Sequence, residues 1–299
     1  MRILAAYIGI ILLWSTTPLA IQWSGSAGGF IFGAASRMVL GAICLSFYLL
    51  ITRKKLPLHL KALQTYLAIV CQIFGAMMCV YWGAQFIPSG WVSVIFGLSP
   101  ITSALFASIW LKERTLTAGK IIAYLLGISG LLIMFRSALQ VNLDAVYGIF
   151  GVLSAVSLQT ASAVWVKRIH AGLPATVQVT GGLLLSLPLY GFAWFVFADA
   201  VWPTLWTPLS LGSILYLGLL ATTVGFTLYY YVLLHLPAPT VGMIPMISPV
   251  LALYLGHHVN HEPITPQIMT GTGLILFSLV LHEFWDRYWG KSNHKTHQA

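Results

Sequence analysis

The sequence predicts an all-α integral membrane protein of ten transmembrane helices, built as two inverted five-helix repeats. Three observations predict it. Charged residues make up 7% of the 299-residue chain and hydrophobic residues 59%, against about 25% charged in soluble domains, so the solvent around this fold is lipid. Apolar stretches recur at about the 20-residue length that crosses a core of roughly 30 Å as a helix. Finally, a shift of 149 positions lays part of the chain onto itself without a gap: Tyr81 falls on Tyr230, Pro88 on Pro237, Ser99 on Ser248, Pro100 on Pro249 and Glu113 on Glu262. Val92/Val241 and Ile95/Ile244 also match, but apolar chains share such residues by accident. Two prolines, a Tyr, a Ser and a Glu in one register mark an internal repeat of half the chain.

Taken in order, the apolar stretches are 3–23, 29–51, 64–86, 89–111, 118–136, 147–167, 173–197, 210–234, 240–257 and 267–285. The first follows Arg2 as a signal peptide would, but its apolar run is longer than a usual signal core, and a five-span repeat requires it. The halves are 1–140 and 141–286, and residues 287–299 form a polar tail. With the N-terminus inside, inner segments hold Arg2, Arg53, Lys54, Lys55, Lys61, Lys112, Arg114, Lys120, Lys167, Arg168, Arg287, Lys291 and Lys295; outer segments hold only Arg136. This is the positive-inside pattern, and it puts both termini of a multi-pass membrane protein in the cytoplasm. The net charge of +9 therefore reports orientation and not nucleic-acid binding. Five spans is an odd number, so the second half enters the membrane from the opposite face. Glu113 is then inside and Glu262 outside, and Lys112 and Arg114 are matched by His261 and Pro263. Inverted repeats of this kind mark transporters that alternate between two faces.

Several residues resemble a known family. Trp14-Ser15 in the first span, Arg37 early in the second, Tyr81, the mid-span Pro100 and the L-K-E-R-x-L-T run at Leu111–Thr117 are similar to the drug/metabolite transporter superfamily, and closest to its ten-helix EamA branch. The resemblance covers essentially the whole chain. It implies a ten-helix inner-membrane carrier with a central cavity and with the fifth helix of each half at the periphery. One departure is His261-Glu262, where the family usually has Gly-Glu; it puts the close loop packing there in doubt.

The candidate substrate-binding residues are Trp14, Ser15, Arg37, Tyr81, Ser99, Pro100, Gln159, Thr160, Tyr230, Ser248 and Pro249. At 1.5 Å per residue, Trp14 lies roughly 16 Å from the inner face and Arg37 roughly 12 Å from the outer one, so the two share a height. Arg37 is the one Lys or Arg placed deep within the membrane and not at a span end, and an intramembrane charge is by default a functional-site hypothesis; snorkelling to the interface is the structural alternative. No carboxylate is placed at mid-depth, so a buried carboxylate relay is not visible. Pro100 and Pro249 fall near the midplane, where irregular backbone is tolerated if it lines a cavity. Trp14, Tyr81 and Tyr230 could line an amphipathic pocket or simply pack, and Gln159 and Thr160 could face a ligand or a neighbouring helix.

Other features carry less. The dispersed Cys44, Cys71 and Cys79 offer no disulfide or metal framework. The His257-His258-x-x-His261-Glu262 run lacks the order of a zinc-protease helix and reads as an interfacial loop. Gly127–Gly130 resembles the G-x-S-G nucleophile motif of rhomboid proteases, but helix packing through small residues accounts for it. No motif calls for a cofactor. The reading is a secondary transporter, an exporter of small amphipathic metabolites, amino-acid-like or drug-like, whose partners are that solute and membrane lipid, with no enzymatic activity. An intramembrane protease using Ser129, or a passive channel, are the alternatives. Phosphorylated sugars fit poorly, since dianionic phosphate normally takes more than one cation and no Lys or Arg occurs between Arg168 and Arg287. The charge pattern makes one immediate prediction. Reporter fusions that are active only outside the cytoplasm should work at Ala138 and fail at Leu56; the reverse pattern removes the inverted topology.

Overall fold

The structure, a computed structural model, describes residues 2–110, 118–141, 144–198, 202–203, 206–236 and 244–288. Every regular element among them is helical. In chain order these are α1 (Arg2–Gly25), α2 (Gly29–Ile51), α3 (Leu60–Gly83), α4 (Ser89–Trp110), α5 (Ala118–Val141), α6 (Ala145–Ile169), α7 (Ala175–Phe197), α8 (Pro208–His235), α9 (Ile244–Asn260) and α10 (Pro266–Tyr288). Seven of them, α1–α4 and α6–α8, are long and apolar enough to span a bilayer. Shorter apolar stretches run through α5 (Ile121–Met134) and α10 (Pro266–Leu281). α5 continues to Val141, so Ala138 lies on the helix and Asp144, just beyond it, is the better fusion site.

The polarity of the fold is that of a protein in lipid. Large apolar side chains face outward, among them Ile43, Phe47, Phe150, Phe192 and Phe277, while Arg37, Gln72, Gln178 and Thr222 are buried. Hydroxyls that have no water to meet turn back onto their own helix. Ser15 Oγ donates to Ile11 O at 2.7 Å, Thr17 Oγ1 to Leu13 O at 2.5 Å and Thr160 Oγ1 to Val156 O at 2.8 Å.

Three helices are irregular at depth. α3 widens into a π-helix over Cys71–Ala76, and α8 does so over Leu217–Phe226. Shifting Cys71–Ala76 by 149 positions lands it inside the second π stretch. α4 breaks at Gly97–Leu98, which makes Pro100 a first-turn residue of its second stretch, where a missing N–H costs nothing. Pro249 instead lies inside α9.

Packing is close wherever glycine allows it. α5 and α10 form the most extensive helix pair. A Cβ on Gly130 would sit 2.6 Å from Gly271 O, and one on Gly271 would sit 2.8 Å from Gly130 O, so each glycine seats the other helix's backbone. The Gly127–Gly130 run is thus a packing surface, and Ser129 Oγ donates to Leu125 O on the exposed side of α5. Gly83 on α3 and Gly148 on α6 make a second reciprocal pair, at 2.8 and 2.9 Å. Overpacking such a contact costs about 1–3 kcal/mol. Gly130→Ala should therefore destabilise the protein by that amount in reversible unfolding from micelles. Gly273→Ala, where a Cβ meets nothing within 4 Å, should be silent.

Candidate functional site

Arg37 fixes the position of the site. It projects from α2, is 1% exposed, and does not snorkel. Its Nε donates to Thr222 Oγ1 at 2.9 Å, and its guanidinium carbon lies 6.0 Å from the centre of the Tyr81 ring. Nη1 is buried with no protein acceptor. α2 and α8 can come this close because Gly41 has no side chain: a Cβ there would lie 2.5 Å from the Thr222 methyl. Thr222 in turn sits in the π stretch of α8, whose wide turn re-aims its side chain.

A central cavity of about 70 Å³ opens beside the guanidinium. α1 contributes Trp14 and Thr17, α4 contributes Ser93, Phe96 and Ser99, α6 contributes Gln159 and α9 contributes Ser248. Its wall is mainly apolar, with Met77, Val80, Val92, Ala221 and Phe226 between the polar groups. Ligand sites usually enclose about 300–1,000 Å³, so this cavity is smaller than a typical ligand site. A larger cleft of about 640 Å³ lies at the basic end of the bundle, lined by Arg2, Ala5, Lys54, Thr176, Thr227 and Tyr231 among others.

Of the residues singled out from the sequence, Trp14, Arg37, Ser99, Gln159 and Ser248 line this one cavity. Tyr81 is buried under the guanidinium. Tyr230 is one layer back. Its ring packs edge-on against Tyr229 at 5.3 Å, Tyr229 packs on Trp14 at 5.2 Å, and the Tyr230 hydroxyl donates to Gln72 Oε1 at 2.6 Å. Ser15 and Thr160 are buried, with hydroxyls bonded to their own helices. Pro100 and Pro249 adjoin the two lining serines and shape the backbone there. The repeat partners Pro237 and Glu113 lie outside the described residues.

Sequence reasoning missed Thr222, Gln72 and Tyr190, which anchor the site from behind. Tyr190 Oη donates to Ile73 O at 2.6 Å, so it meets a carbonyl of the α3 π stretch. The available signal was the lone polar residue in an apolar run, and it was read only for Gln159 and Thr160. Among the described residues no group of three His, Cys, Asp or Glu is placed to hold a metal.

Comparison with known proteins agrees with this architecture. The model of the EamA-like transporter family matches residues 1–136 and again 146–282. An uncharacterized transporter of Bacillus subtilis (strain 168), YoaV, is 27% identical over 285 residues, covering 95% of this chain and 97% of its own. An uncharacterized transporter of Archaeoglobus fulgidus is 28% identical over 204 residues, covering 67% of this chain and 69% of its own. A solved crystal structure superposes with a TM-score of 0.69 at 18% identity, over 96% of this chain and 99% of that one, which shows the fold.

The Thr222 bond generates a prediction. Hydrogen bonds to charged groups contribute about 1.5–3 kcal/mol. Thr222→Val, which keeps the shape and removes the acceptor, should lower stability by that amount in reversible unfolding. Thr222→Ser should retain most of it.

Proposed function

Because this chain belongs to the EamA-like transporter family, we propose that it is a secondary transporter of small amphipathic metabolites that carry a carboxylate, exporting them by alternating access. Ten spans in two inverted repeats, 1–140 and 141–286, would rock about the midplane site, with both termini in the cytoplasm of a plasma-membrane protein. The observation that carries the substrate class is Arg37. A guanidinium at 1% exposure, with Nη1 unmatched by any protein acceptor, borders a largely apolar cavity.

An unpaired charge in the membrane costs at least ~2.5–3.5 kcal/mol, and Thr222 and Tyr81 offset part of that. A substrate carboxylate would offset more, through the fork geometry peculiar to arginine. Trp14, Phe96 and Phe226 would take the apolar or aromatic part of the solute, and Ser93, Ser99, Gln159 and Ser248 its remaining polar groups. One cation is too few for a dianionic phosphate.

The test is uptake into proteoliposomes of matched acid and amide analogues. Arg37→Ala should reduce apparent affinity for the acid roughly 10- to 150-fold and leave the amide little changed, and Arg37→Lys should recover only part of the loss. Equal effects on both analogues would make Arg37 a structural residue. A carrier also shows saturable counterflow, which a channel does not. Replacing Pro100 or Pro249 by Ala should slow exchange more than it weakens binding if these prolines permit the bends used in alternation.

A further inference from the structure

At the end of the bundle away from the basic residues, one carboxylate joins the two halves. Glu262, in the α9–α10 connection, is 8% exposed and sits on the first turn of α4. Its Oε1 accepts from Ser89 N at 2.9 Å and from Ser89 Oγ at 2.6 Å, and its Oε2 accepts from Gly90 N at 3.1 Å. These amides are orphan donors of a helix start, where a negative charge is also favoured by the helix dipole. Asn260 Nδ2 adds a bond to Oε1 at 3.1 Å and reaches Gln22 Oε1 on α1 at 3.4 Å, while Gln22 Nε2 donates to Ala84 O and Ile87 O at 3.1 and 2.8 Å. Gly256 makes the room, since a Cβ there would overlap the carboxylate.

The repeat register allows this closure to be compared with its counterpart at the opposite end. Glu262 corresponds to Glu113, so the acid is present in both halves. Its partners are not. Ser89 corresponds to Ala238, Gly90 to Pro239, Gln22 to Ala171, Asn260 to Leu111 and Gly256 to Ala107. Residues 111–117 and 237–243 lie outside the described residues, and only their chemistry matters here. Alanine has no hydroxyl and proline no amide proton, so two of the three α4 donors have no equivalent, and the supporting amides are absent as well.

We propose that Glu262 is a one-sided latch. It draws the bundle together at its own end, where a cleft of about 340 Å³ beside Gln22 and Tyr81 remains, and so biases the unloaded protein to open at the basic end, where the cleft is about 640 Å³. With the basic end cytoplasmic, the solute-free protein waits facing the cytoplasm, ready to load there. This rests on the alternating-access reading above.

The test uses a protein freed of Cys44, Cys71 and Cys79, with Ala221→Cys placed in the wall of the central cavity. The rate of labelling by a membrane-impermeant maleimide is measured from each face, in intact cells and in inside-out vesicles. In the parent, labelling should be fast from the basic face and slow from the Glu262 face. Ser89→Ala removes one charge-assisted bond and should raise the Glu262-face rate roughly tenfold, and Glu262→Gln should raise it more. Ala238→Ser with Pro239→Gly, which supplies the missing donors at the other end, should shift labelling the same way without touching the latch. Should Glu262→Gln fold poorly, Ser89→Ala and the double variant decide the matter. Unchanged face ratios in folded variants overturn the latch, and the carrier reading then survives if added solute still moves labelling from one face to the other. Equal fast labelling from both faces in the parent overturns both, since that is a channel.

Discussion

Nothing in a bilayer core hydrates a polar group, and the rest of this molecule follows from that constraint. Ser15, Thr17 and Thr160 meet it by bonding back to their own helices. The π stretches of α3 and α8 make it harder, because a wide turn disturbs the regular ladder and leaves carbonyls to be met by other means. The structure answers with side chains from elsewhere. Tyr190 of α7 reaches Ile73 O, and Thr223 takes Gly218 O at 2.8 Å within its own wide turn. Irregular backbone is therefore tolerated only where another helix or a local hydroxyl supplies the missing partner, and those places surround the central cavity. Position of the site and satisfaction of the backbone are one problem.

Arg37 is the extreme case. A guanidinium has five N–H donors and no acceptor, and the helices around it carry hydroxyls, amides and aromatic faces but, among the described residues, no carboxylate at this depth. Thr222 takes one donor, and the Tyr81 face lies beneath the charge. Both contacts fix the orientation of the group while leaving Nη1 open. A salt bridge would have satisfied the charge and closed the site. The arrangement instead holds a positive charge beside a largely apolar cavity with its orientation set in advance.

The helices were legible in the sequence because hydrophobic length is a strong signal in lipid; 29–51 was placed to the residue and most other ends to within a turn. The height shared by Trp14 and Arg37 was legible from counting along the spans, and both residues line the cavity. Residues acting through a bend were not. Thr222 and Gln72 touch their partners because of π turns, and no residue pattern announces a π turn. The partners of Glu262 were not legible for a related reason. In sequence it closes a histidine-rich loop, and only the approach of α4 turns it into a buried acceptor. His261 beside it has a positive φ of 53°, a conformation glycine adopts more readily. The His-for-Gly departure noted in the sequence thus strains the backbone without preventing close packing, which Gly256 provides from α9.

The two halves agree and differ in a physically ordered way. They agree at positions that shape backbone: the Ser-Pro pairs at 99–100 and 248–249, Tyr81 and Tyr230, and the π stretches. Apart from the paired Ser99 and Ser248, they differ at most positions where side chains meet the cavity or lock an end. Arg37 corresponds to Ser186, Trp14 to Ala163, Gln159 to Ile10 and Thr222 to Ile73. Among the described residues the cavity is lined largely by the first half, with Gln159, Ala221, Phe226 and Ser248 from the second. Repetition thus supplies backbone of like shape, and the departures from it supply most of the polar groups around the cavity. Glu262 belongs with those departures, since the acid recurs at Glu113 while Ser89 and Gly90 become Ala238 and Pro239.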